Sequence, residues 1–211
     1  MIRVVLVDDH AVVRMGFRML LQAPDSGIEV VGEAADGEAL LRQLPEWRPD
    51  VLVLDLTMPG LGGLETLRRL RARDDAPRVL VLSAHEDTAY PRRALNAGAQ
   101  GFLSKRSAPE TLPEAIRAVA QGRRYLDAQT AQALALSQIE GAASPFDALS
   151  EREFEVFTRL AQGRSVADIA QALSLSPSTV GTHLYNIKQK LGAGNQAELT
   201  LLALRWGVIA A

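Results

Sequence analysis

Cysteine is absent from these 211 residues. Disulfide frameworks and thiolate zinc sites are therefore excluded. Long apolar runs are absent too: none reaches membrane-spanning length, and the first acid, Asp8, comes too early for a signal-peptide core. A soluble cytoplasmic protein with no membrane partner is the expectation. Strong charge of either sign is also missing. The formal net charge is −2, which supplies no whole-protein attraction to nucleic acid. What remains is an ordinary globular composition, 47% hydrophobic and 23% charged. The length suits two domains better than one.

Residues 1–122 alternate short apolar runs with helix-period segments. The runs are IRVVLV, IEVVGEA, VLVLDL, RVLVLSA and GFLS. The first, third and fourth are continuous and rich in valine and leucine, as in parallel strands covered on both faces by helices. In the last helical segment Leu112, Ala115, Ile116 and Val119 make one apolar face. The pattern predicts a (βα)5 doubly wound α/β domain. Residues 123–146 read as a linker, with AQTAQALALSQIE its candidate helix and GAASP its flexible part. Residues 147–211 show no strand-like alternation. Ser150 with Glu153 and Asn195 with Glu198 fit capping boxes, and Ser176–Pro177 reads as an N-cap and first-turn proline. Four helices are predicted, near 151–162, 166–173, 177–191 and 196–206.

Three acids sit at strand ends: Asp8 and Asp9 after the first run, Asp55 at the end of the third. Singly, each reads as a turn residue or helix cap. In a parallel sheet, however, the C-terminal strand ends share one edge, so the three carboxylates should meet and repel unless a cation neutralises them. Oxygen ligands with no histidine or cysteine nearby favour Mg²⁺ (or Mn²⁺) over zinc. Asp55 is then a candidate nucleophile, since aspartate forms acyl phosphates. Ser83 after the fourth run and Lys105 after the fifth offer a hydroxyl and a cation for phosphoryl oxygens. His10 and His85 read as structural or surface residues.

The segments LVDDH, LDLTMPG, VLSAH and AGAQGFLSK resemble the receiver domain of bacterial two-component response regulators. The resemblance covers residues 1–122 and implies a CheY-like, flavodoxin-like fold. It implies that Asp55 accepts phosphoryl from a cognate sensor histidine kinase, and that Asp8, Asp9, Asp55 and the backbone carbonyl of Thr57 place Mg²⁺. It also implies that Ser83 hydrogen-bonds the phosphoryl group, that Phe102 swings with it, and that Lys105 pairs with the phosphate. For Phe102 a plain core aromatic is the competing reading. A Mg²⁺-dependent phosphatase of the haloacid dehalogenase type is an alternative. That family needs a second aspartate two residues after the nucleophile, where this chain has Thr57, so a phosphorylated switch fits better than an enzyme.

In the second half, the helices near 166–173 and 177–191 are joined by LSLS, which is helix-turn-helix spacing. At about 100° per residue, Val180, Leu184, Ile187 and Leu191 gather on one side of the longer helix. Ser178, Thr182, Tyr185 and Gln189 point the opposite way. Gly181 and Lys188 lie on one flank, and Thr179, His183 and Lys190 on the other. Polar groups of this kind read base edges, and lysines contact phosphates. A plain amphipathic helix in a small bundle is the competing reading. Residues 147–211 carry six acids and six basic residues, but 176–191 has two lysines and no acid. The local field there is positive.

The stretch LSEREFEVFTRLAQGRSVADIAQALSLSPSTVGTHLYNIKQKLGAGNQAEL resembles the output domain of NarL/FixJ-type regulators, a LuxR-type helix-turn-helix. The resemblance implies a transcription factor on double-stranded DNA, in which phosphorylation frees the output domain to form a homodimer through its last helix. The DNA-contact candidates are Ser178, Thr179, Gly181, Thr182, His183, Tyr185, Lys188 and Lys190. Two positions depart from the family pattern. Lysine is common where Gly181 stands, and a basic residue is frequent near Tyr185. A receiver whose helical half binds protein instead of DNA is the second alternative.

Overall fold

The computed structural model describes residues 1–84, 89–139, 144–206 and 208–209, with backbone alone for 137–139. His85 and most of GAASP, both singled out in the sequence, lie outside these residues. The chain divides into two compact units.

The first unit is a parallel sheet wrapped by helices. Its elements alternate: β1 (Ile2–Val7), α1 (Ala11–Leu21), β2 (Ile28–Ala34), α2 (Gly37–Trp47), β3 (Val51–Asp55), α3 (Gly63–Arg71), β4 (Arg78–Ser83), α4 (Ala89–Ala97), β5 (Gly101–Ser104) and α5 (Ala108–Ala120). The continuous apolar runs are buried on both faces: every residue of β3 is buried, as are the last four of β1 and the last five of β4. That is why they lack alternation. The predicted face of α5 holds, with Leu112, Ala115, Ile116 and Val119 all at 0% exposure. Burial of each larger side chain there contributes about 1.5–3 kcal/mol.

The sheet has one more strand than the five expected. A two-residue β6 (Tyr125–Leu126) pairs in parallel with β5, Gly101 against Tyr125 and Phe102 against Leu126. Two half-buried residues are too few to show alternation, so the sequence carries no strand signal there. The strand order is β2-β1-β3-β4-β5-β6. Connections run one way from β1 to β2 and the other way from β3 onward. The crevice at the carboxyl ends of β1 and β3 is therefore the switch point where such sheets bind ligands. Directly after β6 the chain enters α6 (Ala128–Ile139), at the candidate linker helix.

The second unit gathers a short 3-10 helix (Pro145–Ala148) with α7 (Glu151–Ala161), α8 (Val166–Ala172), α9 (Pro177–Leu191) and α10 (Gln196–Arg205). The helix starts follow the punctuation in the sequence. Ser150 and Glu153 close a reciprocal capping box, Ser165 and Asp168 another, and the Ser176 hydroxyl accepts from the Thr179 N–H. Asn195 caps α10, but Glu198 reaches the Gly194 N–H, at 2.7 Å, and not the cap residue's own. Gly192 ends α9 at φ 64, a left-handed conformation that glycine adopts without a Cβ penalty. The core joins Phe146, Phe154, Phe157, Ile169, Val180, Ile187 and Leu199, all within 1% exposure. Phe146 stacks on Phe157 at 4.8 Å between ring centroids and meets Trp206 edge-on at 6.2 Å.

Candidate functional site

Parallel register brings the strand ends together. Val7 lies opposite Leu54, Asp55 opposite Leu82, and Ser83 opposite Ser104. The residues that close or follow β1, β3, β4 and β5 therefore emerge on one edge. Asp8 and Asp55 are 4% and 2% exposed there. The Lys105 ammonium sits between them, 2.6 Å from Asp8 Oδ2 and 2.8 Å from Asp55 Oδ2. The Thr57 N–H donates to Asp55 Oδ1 at 3.2 Å. Ser83 is fully buried at the end of β4, and its carbonyl accepts from the Lys105 N–H at 2.8 Å. Phe102, at 1% exposure, is buried on β5 opposite Val81 of β4.

One expectation is corrected. The sequence placed no histidine beside the acids, yet the His10 Nδ1 lies 2.8 Å from Asp9 Oδ1 and 3.2 Å from Asp8 Oδ1. The His10 backbone N–H also donates to Asp8 Oδ1 at 2.8 Å. The chain turns back on itself into α1 immediately after Asp9, and this turn aims the ring at the carboxylates. Donor atoms from Asp8, Asp9, His10 and Asp55 all lie within 4.8 Å of one another. Asp8 and Asp55 share one ammonium and Asp9 meets the His10 ring, so the pocket is rich in carboxylate oxygen. A hard divalent cation such as Mg²⁺ fits that donor set.

Other residues that carry the pocket escaped the sequence reading. The Arg14 guanidinium donates to the Asp8 backbone carbonyl and pairs through Nε with Glu33 Oε2 at 3.3 Å. Its signal was weak: an arginine one helical turn after His10. Gly63 opens α3 against the strand that ends in Asp55. A Cβ at Gly63 would stand 2.2 Å from the Asp55 carbonyl oxygen and 2.6 Å from the Leu56 Cα, both backbone atoms that cannot yield cheaply. Glycine is needed there for close approach.

The electrostatics pull in opposite directions. Burial raises the Asp55 carboxyl above its ordinary value and outweighs the Lys105 ammonium, while the Asp8 charge adds to the rise. Burial acts against the Lys105 charge, but Asp55 and Asp8 overcome it and hold the ammonium's pKa up. The pocket thus stores a carboxylate that is costly to ionise beside a cation that is hard to deprotonate.

On the second unit, α9 shows the predicted division of faces. Val180 and Ile187 are buried, Leu184 and Leu191 half-buried, and Ser178, Gly181, Thr182, Tyr185 and Gln189 exposed. Tyr185 stands 64% exposed. Thr179 and His183 are half-buried on their flank. The two lysines differ. Lys188 Nζ makes a long 3.3 Å bond to the Gly194 carbonyl, whereas Lys190 Nζ sits 2.6 Å from Glu153 Oε2. Glu153 is buried, and the same oxygen accepts from the Ser150 N–H at 2.8 Å. One carboxylate therefore caps α7 and holds the C-terminal end of α9. Burial alone would raise Glu153, but Lys190 and Ser150 together bring it below its ordinary value. Burial lowers the His183 imidazole; Glu153 opposes this and Arg152 adds to it.

Comparison with known proteins bears on both units. Residues 4–117 match the family described as response regulator receiver domain, and residues 147–203 match bacterial regulatory proteins of the luxR family. The chain is 41% identical over 210 residues to the response regulator UvrY of Escherichia coli strain K12, covering 99% of this chain and 96% of that protein. It is 42% identical over 211 residues to the response regulator GacA of Pseudomonas aeruginosa, covering 99% and 98%. Among solved structures it resembles RcsB from Salmonella enterica serovar Typhimurium, bound to promoter rprA in the presence of the phosphomimetic BeF3-. That match has 29% identity and a TM-score of 0.67, over 96% of this chain and 98% of the other.

Proposed function

We propose a phosphorylation-controlled DNA switch, on the premise that the chain belongs to the two-component response regulators of the NarL/FixJ type, with a receiver domain joined to a LuxR-type helix-turn-helix domain. It regulates transcription by binding DNA. The finer reading concerns which residues act. Asp55 is the phosphoacceptor. The single observation that carries this is its buried carboxylate at the switch-point crevice, 2.8 Å from the Lys105 ammonium.

In the proposed step an Asp55 Oδ attacks the phosphorus of a phosphohistidine on the cognate sensor kinase. A P–O bond forms as the donor's P–N bond breaks. The electron pair leaves on the imidazole nitrogen, which takes a proton from solvent. Lys105 and the Ser83 hydroxyl bind phosphoryl oxygens. Asp8, Asp9, Asp55 and the Thr57 carbonyl would hold Mg²⁺ (or Mn²⁺), which supplies charge neutralisation for the transferring group. Phe102, buried beside β4, follows Ser83. The only chemistry of the chain's own is this phosphorylation and its reversal.

On DNA, Ser178, Thr182 and Tyr185 face base edges, with Gly181, Thr179 and His183 flanking them and Lys188 on a phosphate. A homodimer forms through α10, where Leu201 stands 64% exposed. The site of action is the cytoplasm, in keeping with a DNA ligand; among the described residues no helix is long and apolar enough to cross a membrane.

The test is labelling from a small phosphodonor in Mg²⁺. Asp55→Asn should take up no acyl phosphate while the parent does. Equal labelling of the two proteins would remove Asp55 from this role.

A further inference from the structure

Asp127 belongs to neither the acid pocket nor the DNA-facing helix, yet its carboxylate is 7% exposed and fully engaged. Its two oxygens do different things. Oδ1 accepts from the Thr130 N–H at 2.8 Å and so caps α6. Oδ2 accepts from the Ser104 N–H, also at 2.8 Å, across 23 residues of sequence. Ser104 is the last residue of β5, and the next residue is Lys105. Two successive peptides are therefore gripped: Leu103–Ser104 by Asp127 through the Ser104 N–H, and Ser104–Lys105 by the Ser83 carbonyl through the Lys105 N–H, at 2.8 Å. Beyond these peptides the Lys105 side chain reaches Asp55 and Asp8. The pairing of β6 with β5 is what delivers Asp127 to this place, because it follows Leu126 directly.

We propose that Asp127 is a positioning residue that couples the acid pocket to the linker helix. It holds the backbone that aims Lys105 and, with the same carboxylate, the N-terminus of α6. The proposal rests on the reading of Asp55 as phosphoacceptor. A phosphoryl group on Asp55 changes what Lys105 binds, from two carboxylates to a phosphate. Any re-aiming of that lysine turns the backbone at Ser104, whose own N–H Asp127 holds. The other end of the lever is a helix that depends on its cap. α6 spans 12 residues, Ala128–Ile139, the length at which isolated helices are marginal. It carries no acid in its first turn and no base in its last, so Asp127 is the charge that complements its dipole at the start. α6 leads the chain toward the DNA-binding unit. A change in the order of its first turns is thus a change in the tether of that unit.

Substitution separates this role from simple capping. Asp127→Ser keeps a good helix N-cap but cannot also reach Ser104. Asp127→Asn keeps the volume and leaves one acceptor for two donors. The measurement is amide hydrogen exchange of the full chain with and without acetyl phosphate in Mg²⁺, read at Ser104–Lys105 and at 128–139, with phosphorylation extent measured in parallel. In the parent, exchange at 128–139 should change by about fivefold or more on phosphorylation, the low end of ordinary coupling between sites. The serine variant, compared with the parent at equal phosphoryl occupancy, should keep its helical circular dichroism and lose that change. The asparagine variant should retain only part of it. A serine variant that responds like the parent reduces Asp127 to a cap and overturns the proposal. So does a phosphorylated parent whose 128–139 amides do not respond. A parent that accepts no phosphoryl at Asp55 overturns the phosphoacceptor reading and this inference together, and the labelling readout identifies that case.

Discussion

Lys188 and Lys190 stand two positions apart on α9 and should behave differently on DNA. The sequence offered both as phosphate contacts, because neither has an acid beside it in 176–191. Folding supplies one: Glu153, 37 residues earlier, comes within 2.6 Å of Lys190. A lysine whose charge is already matched by a buried carboxylate releases few counterions when DNA binds. Lys188→Ala should therefore lower the slope of log affinity against log salt by about 1. Lys190→Ala should leave that slope near the parent's and instead destabilise the helical unit, since Glu153 loses its counter-charge. The loss of about 1 kcal/mol would show as a melting temperature several degrees lower. A slope reduced equally by both substitutions would return Lys190 to the phosphate contacts. Sequence legibility follows the same line at this scale. The strand-end acids, Ser83 and Lys105 were legible because parallel topology dictates where they meet. Glu153 with Lys190, Arg14 on Asp8, and Asp127 on Ser104 were not, because long-range hydrogen bonds leave no periodic trace.

Among elements, the helices of the second unit were the most legible. Capping serines, a first-turn proline and terminal glycines mark helix ends chemically, and α9 runs Pro177–Leu191 as the sequence predicts. β6 was the least legible, since two residues are too short to show a period and pairing with β5 makes them a strand. Gly181 tests what α9 does with its exposed side. A Cβ placed there meets nothing within 4 Å, so the fold imposes no need for glycine. By helix propensity, Gly181→Ala should stabilise the unit by about 0.8–1 kcal/mol. If the bare backbone lies close to DNA, the same methyl group should weaken binding. Opposite signs in thermal melting and in a gel shift are the expected outcome. Greater stability with unaltered affinity would show that this flank does not touch DNA.

Across the whole molecule, buried Asp55 of the sheet unit and His183 of the helical unit should answer acid with opposite signs. Asp55 is raised in the folded state, by burial foremost. Its contribution is therefore fully present below its unfolded value near 3.8 and is lost as pH rises through the raised folded value. Acidification from neutrality relieves the sheet unit of that cost. In the helical unit Glu155 runs with Asp55, raised by burial against the pull of Arg152 and Arg159, but His183 and Glu153 run the other way. His183 is lowered from 6.5, by burial first, so its contribution is present above that value and declines as pH falls through the lowered one. Glu153 is lowered from 4.5: burial opposes the shift, and Lys190 with Ser150 prevails, so its contribution is lost on further acidification. Each unit has its own core, and calorimetry in metal-free buffer should resolve two transitions. Between pH 7.5 and 5 the loss at His183 should lower the helical transition, while Asp55 gives relief to the sheet transition. His183→Gln should flatten the upper part of that fall, and Asp55→Asn should remove the relief in the sheet unit. If both transitions move in parallel, and neither substitution alters their separation, then burial of these groups does not govern how the two halves respond to acid.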